Sequence, residues 1–333
     1  MNPPLLALDD LSVLFHTPEG VARAVDGVSL EVGPGETVGL VGESGCGKSV
    51  TSLAVLGLIP SPPGRIDRGR ILFQERNLPD LSHDELRRIR GREISMIFQE
   101  PMTSLNPVHP IGRQVAEPLM VHLGLPRREA LERALDWLDR VKIPAAAKRL
   151  EDYPHQLSGG MRQRVMIAMA MICGPKLLIA DEPTTALDVT IQAQILSLML
   201  QLKEELNTAL LLISHDLGIV AQMAGRVVVM YAGQVVEEAG VLDLFDQPFH
   251  PYTQGLLRSA HRRSGRSGKG RLHEIPGLVP ALTETITGCK FAGRCAHASA
   301  LCRAEPPPLL KVTPTHKARC WLWDCLERRR ADV

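Results

Sequence analysis

The sequence predicts an α/β protein with a parallel sheet core, an antiparallel β region, a helical insert and a small C-terminal cysteine-rich segment. Three observations support this fold class. After Pro175, apolar strand-like runs alternate with helical runs, a pattern typical of a parallel sheet covered on both faces. Between Pro101 and Met171, strand patterns vanish and helical spacing replaces them. Five of the seven cysteines follow residue 288.

The N-terminal region is predicted to form antiparallel strands. From about residue 6 to residue 36 the sequence alternates in the way that strands do, with a turn at Pro18-Glu19-Gly20. Alternation returns at residues 70–73. Ser82 and Glu85 then have the spacing of a capping box, which predicts a short helix through Ile89.

The remaining elements follow from periodicity. Residues 111–123 and 127–141 have helical spacing, and in the second run Leu131, Leu135 and Leu138 recur at intervals of four and three. Beyond Pro175 we expect strands at 177–180, 209–214 and 226–231, with helices at 191–206 and 217–223.

Composition excludes some classes of protein. The 333 residues exceed one typical domain, and the apolar fraction of 44% is ordinary for a globular protein. No apolar stretch approaches the ~18 residues that span a bilayer. The N-terminus lacks a basic region followed by an apolar core, so we expect no secretory signal and a cytosolic protein.

The C-terminal region is basic. Residues 256–333 carry 15 Lys and Arg against 6 Asp and Glu, which suits a solvated surface or neighbouring anionic lipid more than nucleic acid.

A phosphate-binding loop is the first chemical motif. Residues 42–49 match G-x-x-x-x-G-K-[ST] between an apolar strand pattern and a helix-compatible run, the context that this motif requires. Backbone N–H groups and the helix N-terminus are predicted to bind phosphates, with Lys48 at the β- and γ-phosphates and Ser49 on Mg²⁺. Cys46 adds a thiol that oxidation could attack. The predicted nucleotide contacts are Gly42, Ser44, Gly45, Cys46, Gly47, Lys48, Ser49 and Val50.

Acidic and polar side chains follow three apolar strand patterns. Asp181 is predicted to hold Mg²⁺ through its water shell, and Glu182 to orient and polarise the attacking water. The alternative is that these acids cap the next helix. Gln99 is placed to contact metal or water, and His215 to contact the γ-phosphate. Asp188 lies six residues past Glu182.

A second glycine-rich element, Leu157-Ser158-Gly159-Gly160-Met161, lies between the phosphate loop and the acids. In this order the motifs resemble those of ATP-binding subunits of ABC transporters, over nearly the whole chain. The motifs are Walker A (42–49), Q-loop Gln99, signature (157–161), Walker B (177–182), D-loop Asp188 and switch His215.

The resemblance implies an ABC-type nucleotide-binding domain, with a RecA-like parallel sheet core, an antiparallel β subdomain and a helical subdomain. It also implies a head-to-tail dimer around two ATP molecules, each between one subunit's phosphate loop and the other's Ser158, Gly159 and Gly160. An aromatic residue near the N-terminus would stack on adenine. Phe15 is the candidate, and a core role is the alternative.

Three short runs narrow the resemblance to one group of ABC ATPases: residues 98–107, Tyr153-Pro154-His155-Gln156 and His250-Pro251-Tyr252-Thr253. They resemble dipeptide and oligopeptide importers, and the chain as a whole is most similar to the ATPases of bacterial dipeptide permeases. Nickel importers share much of this pattern, so the solute stays open. The competing classes are a soluble ABC-type ATPase of translation or DNA repair, an exporter, and a regulatory module that senses redox state.

The likeness implies partners and a location. We expect a second ATPase subunit (a distinct homologous chain), two transmembrane permease subunits and, indirectly, an extracytoplasmic solute-binding protein. No nucleic acid is expected. The chain would lie peripherally on the cytoplasmic face of the bacterial inner membrane.

The predicted domains are a nucleotide-binding domain at 1–260, with its helical subdomain at about 101–172, and a C-terminal domain of the oligopeptide-transporter type at 261–333. A basic, small-residue stretch at 262–270 is typical of a flexible linker. The C-terminal segment is too short to bury much apolar core unaided, so a metal or cross-link is expected in it.

Four C-terminal cysteines are candidate metal ligands: Cys289, Cys295, Cys302 and Cys320. Without a secretory signal, metal ligation is favoured over disulfides. Paired short spacings typical of zinc are absent. The wide spacing, together with the resemblance to peptide importers, favours a structural four-iron four-sulfur cluster, with zinc and free or oxidised thiols as alternatives. Substitute ligands are Cys325, His297 and His316.

Overall fold

The computed structural model describes residues 3–99, 104–185, 187–261 and 275–324. The predicted linker at 262–270, the substitute ligand Cys325, D-loop residue Ala186 and residues 100–103 of the importer-like run lie outside the described residues. The chain divides into two compact units. The first comprises residues 1–5, 32–37 and 80–212, and the second comprises residues 6–31, 38–79 and 213–333.

The strands, in chain order, are β1 (Leu6–Thr17), β2 (Gly20–Val32), β3 (Thr37–Val41), β4 (Gly64–Phe73), β5 (Arg76–Asn77), β6 (Ile94–Ile97), β7 (Leu177–Asp181), β8 (Ala209–Ser214), β9 (Arg226–Tyr231), β10 (Gln234–Gly240), β11 (Leu310–Lys311) and β12 (Lys317–Ala318). The helices are α1 (Lys48–Val55), α2 (His83–Ile89), α3 (Ile111–Leu123), α4 (Arg127–Arg140), α5 (Ala146–Arg149), α6 (Gly159–Met171), α7 (Val189–Glu205), α8 (Leu217–Met223), α9 (Val241–Asp246), α10 (Pro251–His261) and α11 (Ala300–Ala304).

The second unit contains the predicted antiparallel strands. They form a sheet in the order β2-β1-β4-β5, with β4 antiparallel to both β1 and β5. A separate run of strands has the order β11-β12-β10-β9-β3. In that run β3 and β9 are parallel, and the later strands pair antiparallel. The C-terminal segment therefore adds β12 beside β10, with Glu237 opposite Ala318.

The first unit contains the helical insert and a parallel strand pair. β6 and β7 are parallel, with Ile97 opposite Ala180, and every residue of β7 is buried. The capping box at Ser82 and Glu85 forms as predicted and begins α2. Helices α3 and α4 confirm the periodicity of residues 111–123 and 127–141.

The sheets and helices match the α/β class predicted from the sequence. No described helix has both the length and the apolar character that a membrane span needs. The domain boundary at residue 260 stays a prediction.

Candidate active site

The phosphate loop lies in the second unit, between the fully buried β3 and α1. Gly42 has φ 156°, and a Cβ there would lie 2.3 Å from the Met230 carbonyl oxygen. Gly47 has φ 103°, and its Cβ would lie 2.3 Å from the Ala24 carbonyl oxygen. Both positions therefore require glycine, because a side chain would meet backbone and the left-handed conformation disfavours L residues.

Lys48 lies under this loop. Its side chain is buried, and its Nζ donates to the carbonyl oxygens of Gly42 at 2.8 Å and Glu43 at 3.0 Å. Ser49 and Val50 are half-buried in the first turn of α1, whereas Ser44 and Gly45 are exposed at the loop tip. The predicted phosphate contacts thus belong to one loop and the helix that it opens.

Cys46 is buried at the base of the loop, 1% exposed, with its Sγ 3.7 Å from Lys48 Nζ. Burial raises the pKa of this thiol, against a lowering by the Lys48 ammonium. A buried neutral thiol reacts slowly because the thiolate is the nucleophile. This environment contradicts the expected oxidation sensitivity.

We expect Cys46 of the native chain to resist N-ethylmaleimide near neutral pH and to react fully after unfolding in urea. Because the raised pKa keeps the thiolate fraction small, labelling should increase only under more alkaline conditions. Peptide-resolved mass spectrometry measures the labelling, with the half-buried Cys173 as an internal comparison. Fast labelling of native Cys46 would show that the loop is more open than its packing indicates.

The acidic strand end lies in the first unit. Asp181 is 4% exposed as the last residue of β7, and Glu182 follows with φ 47°, in the left-handed region. Such backbone strain in a non-glycine residue often marks a functional site. The Glu182 carboxylate oxygen Oε2 accepts hydrogen bonds from Gln99 Nε2 and from Thr185 Oγ1, each at 3.0 Å.

Strand pairing explains why Gln99 and Glu182 meet. Gln99 follows β6 and Glu182 follows β7, and parallel neighbours bring their carboxyl ends to the same sheet edge. Sequence reasoning predicted both residues but missed Thr185. The sequence feature that could have indicated Thr185 is its position three residues past Glu182. The Thr185 N–H donates to the Glu182 carbonyl and closes a turn there.

The signature begins α6 in the first unit. Ser158 is the N-cap, and its hydroxyl accepts from the Met161 N–H at 3.3 Å. Ser158 and Gly159 are exposed, so the start of the helix faces outward. A Cβ on Gly160 would lie 2.8 Å from Ile191 Cγ2, whereas one on Gly159 would have Leu187 Cδ2 as its nearest atom, at 3.7 Å.

Asp188 and His215 are both exposed, Asp188 directly before α7 and His215 directly after β8. Asp188 caps α7 by accepting from the Ile191 N–H at 2.9 Å. The capping role that was the alternative for Asp181 and Glu182 thus belongs to Asp188. The buried Ser214 precedes His215, and the exposed Asp216, which caps α8, follows it.

Phe15 is half-buried near the end of β1, in the second unit. It is paired with Gly64, where a Cβ would lie 2.7 Å from Phe15 Cε1. Its ring therefore packs directly over a glycine. Both the adenine-stacking role and the core role remain predictions.

Four cysteines of the C-terminal segment line one small cavity of about 20 Å³, together with apolar side chains that include Phe291 and Leu322. They are Cys289, Cys295, Cys302 and Cys320. Burial raises the pKa of the Cys289, Cys295 and Cys320 thiols, and that of Cys320 reaches about 12. The Leu322 N–H donates to Cys320 Sγ at 3.4 Å.

The arrangement of the four thiols suits an iron–sulfur cluster better than a single metal ion. Among the described residues, no three His, Cys, Asp or Glu side chains are grouped to hold a single metal ion. Four thiols around one cavity are the donor set of an iron–sulfur cluster, which holds its sulfur ligands farther apart than one ion does. The cavity itself has room for about one water molecule, so a cluster requires the thiols to move outward.

An open groove of about 600 Å³ lies on the helical insert. Val108 and Tyr153 line it and are 70% and 37% exposed, with the ring of His155 stacked on that of Tyr153. The groove is close in sequence to the signature, which follows Gln156 directly.

The chain is similar to known protein families, curated relatives and solved structures. Residues 25–185 match the family model of ABC transporters, and residues 236–302 match that of the oligopeptide/dipeptide transporter C-terminal region. The oligopeptide transport ATP-binding protein OppD of Bacillus subtilis is 50% identical, covering 96% of this chain and 88% of its own length. A "Probable peptide ABC transporter ATP-binding protein" of Sinorhizobium fredii is 54% identical, covering 95% and 94%. A dimeric post-hydrolysis ATP-binding cassette, MJ0796 bound to ADP and phosphate, superposes with a TM-score of 0.64 at 28% identity, over 71% of this chain and 98% of its own.

Proposed function

The chain belongs to the ABC transporter family as an ATP-hydrolysing subunit of a peptide importer, and we propose that its phosphate loop, acidic strand end and signature perform that hydrolysis. The observation that carries the proposal is the Glu182 carboxylate. Glu182 directly follows the buried strand β7 and has a left-handed backbone, and its carboxylate accepts hydrogen bonds from Gln99 and Thr185. A carboxylate whose Oε2 is held by two hydrogen bonds is suited to orient one water molecule.

Binding of ATP relies on the phosphate loop. The backbone N–H groups of residues 42–49 and the N-terminus of α1 attract the phosphates, and Lys48 Nζ would exchange its contacts with loop carbonyls for the β- and γ-phosphates. The Ser49 hydroxyl, the Gln99 amide and the buried Asp181 carboxylate are oxygen donors of the kind that Mg²⁺ prefers. When bound, Mg²⁺ neutralises the charge that develops on the phosphates.

Hydrolysis then relies on five side chains. Glu182 accepts a proton from the attacking water as the water oxygen bonds to the γ-phosphorus. The bond from the γ-phosphorus to the β-phosphate oxygen breaks, and ADP and phosphate are released. Gln99 and Thr185 keep that carboxylate oriented. His215 and Lys48 donate to the phosphate oxygens and stabilise the transition state.

Each complete site takes a second chain. The exposed start of α6 would present Ser158, Gly159 and Gly160 to the ATP held by another subunit's phosphate loop. Asp188 would contact the same nucleotide, and Phe15 would stack on adenine. The second subunit is proposed to be a distinct homologous ATPase.

The groove beside the signature fits a membrane partner. A helix of a permease could dock against the exposed Val108 and Tyr153 and move with the helical insert when ATP is hydrolysed. The proposed assembly has two permeases, lies at the cytoplasmic face of the bacterial inner membrane, and receives peptide from a solute-binding protein.

Purification from source-cell membranes in mild detergent tests this assembly. Mass spectrometry of the co-purifying chains should identify two multi-span permeases and a second ATPase. Recovery with ribosomal or DNA-associated partners in the soluble fraction would overturn the transporter assignment. A captured solute-binding protein would supply its ligand for identification, and nickel in place of a peptide would contradict the peptide assignment.

For the C-terminal domain at 261–333, we propose a structural four-iron four-sulfur cluster held by Cys289, Cys295, Cys302 and Cys320. Support comes from the convergence of four thiols on one cavity and from the peptide N–H that faces Cys320 Sγ. Such N–H donors stabilise thiolate ligands. A cluster would add to the small apolar core that so short a segment can build.

Replacing Cys289 and Cys295 together by Ser should remove the iron of anaerobically purified protein, expected at about four atoms per chain, and lower its melting temperature. Iron and acid-labile sulfide assays measure the first effect, and thermal denaturation measures the second. Cys173→Ser, at a half-buried thiol in the first unit, is the matched control and should retain both. Zinc in place of iron would reject the cluster, and unchanged metal content in the double variant would reject these ligands.

A further inference from the structure

Two side chains from beyond residue 250 hold the phosphate loop at Glu43, the second residue of the motif. The Glu43 N–H donates to Tyr252 Oη at 2.8 Å. The Glu43 carboxylate accepts from Arg294 Nη1 at 2.6 Å and from Nη2 at 3.0 Å. Both the backbone and the side chain of this loop residue therefore have partners in the C-terminal part of the second unit.

Arg294 is itself fixed in place. Its Nε donates to the Pro276 carbonyl at 3.1 Å, and Nη2 also donates to the Ile275 carbonyl at 3.1 Å. The guanidinium lies over the rings of Tyr231 and Phe291, with its side chain 6% exposed. A guanidinium held by two carbonyls and two aromatic rings makes a bidentate carboxylate contact of defined direction.

Tyr252 is equally constrained. It is fully buried, and its ring packs against those of Tyr231 and Phe291 at centroid distances of 4.7 Å and 5.5 Å. Phe291 lies between Cys289 and Cys295 in the sequence. The rings of Tyr231 and Phe291 therefore pack against both side chains that bind Glu43, and Phe291 also lines the cysteine cavity.

We propose that Arg294 and Tyr252 position the phosphate loop through Glu43, so that the cysteine-bearing segment contributes to ATP affinity at the chain's own loop. The inference rests on the proposed role of residues 42–49 in binding ATP. A glycine-rich loop loses much conformational entropy when it closes on phosphates. Anchoring Glu43 beforehand reduces that loss and directs the neighbouring N–H groups. Arg294 and Tyr252 are positioning residues, since they act through Glu43.

The test compares variants of the full-length chain by titration with a fluorescent Mg-ATP analogue. Arg294→Met keeps packing on the two rings but removes the charge, and we expect its Kd to rise about tenfold, the effect of losing charged hydrogen bonds. Arg294→Lys should restore part of the affinity. Tyr252→Phe should weaken binding in the same direction. In the assembled transporter, the KM for ATP should rise with kcat within about twofold of the wild type.

Arg319→Met is the matched control. Arg319 also lies in the C-terminal segment, but it donates to the carbonyls of Val235 and Pro307 and does not contact Glu43. It should lower the melting temperature without changing the Kd. Glu43→Gln should raise the Kd as much as Arg294→Met does. The double variant should bind no more weakly than either single variant, because each substitution removes the same interaction.

The outcomes separate the two proposals. If Arg294→Met lowers the melting temperature while the Kd stays at the wild-type value, the contact only holds the C-terminal segment and the inference is wrong. If Arg319→Met weakens binding as much, loss of packing explains the effect, and the inference is again wrong. If Lys48→Ala binds the nucleotide as tightly as the wild type, the assignment of the phosphate loop itself fails.

Discussion

Glu182→Gln should lower ATP turnover by about 100-fold or more, the usual contribution of a general base, while ATP binding stays within about threefold of the wild type. The amide oxygen of Gln can still accept from Gln99 Nε2 and Thr185 Oγ1, so the turn should keep its shape. What is lost is the negative charge that takes a proton from water. Hydrolysis in the intact transporter and nucleotide titration of the purified chain measure the two effects.

A surface glutamate of the same unit gives the control. Glu93 forms an ion pair with Lys176 at 3.0 Å, and its side chain is 22% exposed. Such pairs contribute about 1 kcal/mol or less to stability, so Glu93→Gln should leave turnover and melting temperature nearly unchanged. Hydrolysis at the wild-type rate by Glu182→Gln would reject Glu182 as the base.

Thr185→Val separates orientation from proton transfer. It removes one of the two hydrogen bonds to the Glu182 carboxylate and leaves the carboxylate in place. If Glu182 acts by orienting water, kcat should fall by less than in Glu182→Gln, with ATP binding unchanged. Equal turnover in Thr185→Val and wild type would mean that Gln99 alone suffices to hold the carboxylate.

Local signals in the sequence were sufficient for most elements. The capping box at Ser82 and the periodicity of 127–141 act over a few residues, and the helices formed where these signals lie. β4 was predicted from residue 70 but begins at Gly64. Its first half is mainly polar and exposed, so no apolar alternation marks it, and pairing with β1 forms the strand.

Contacts across long stretches of chain carried no such signal. The Gln99–Glu182 contact followed from parallel pairing, because strand ends of neighbouring parallel strands share an edge. In contrast, Arg294 reaches Glu43 across 251 residues and Tyr252 reaches it across 209. Neither residue belongs to a motif whose chemistry requires the phosphate loop, so only the folded arrangement reveals the contact.

Ser158→Asp is expected to abolish turnover without loosening the fold. Asp is as good an N-cap as Ser, because its carboxylate also accepts from the N–H groups of the first turn. The Met161 N–H would therefore keep an acceptor. In the proposed closed dimer, however, the new charge would face the phosphates held by the partner. Two like unit charges about 4 Å apart repel by about 4 kcal/mol at an effective dielectric constant of 20, which corresponds to a roughly thousandfold loss.

Two further substitutions at this position separate charge from capping. Ser158→Asn keeps the cap without the charge and should retain more activity than Ser158→Asp. Ser158→Ala removes the cap and should cost about 1 kcal/mol of stability, seen as a lower melting temperature. If Ser158→Asp melts below Ser158→Ala, its lost activity reflects unfolding and the proposed role is not supported.

Gly159 offers an independent test that the neighbouring Gly160 cannot. A methyl group on Gly160 would clash with Ile191 at 2.8 Å, so any substitution there also disturbs the packing of α6 on α7. A methyl group on Gly159 would have Leu187 as its nearest neighbour, at an ordinary contact distance of 3.7 Å, and Gly159 itself is exposed. Gly159→Ala should therefore keep the melting temperature of the wild type. If it also keeps wild-type hydrolysis in the intact transporter, the start of α6 does not approach a partner's nucleotide; lost turnover with an unchanged fold would mean that it does.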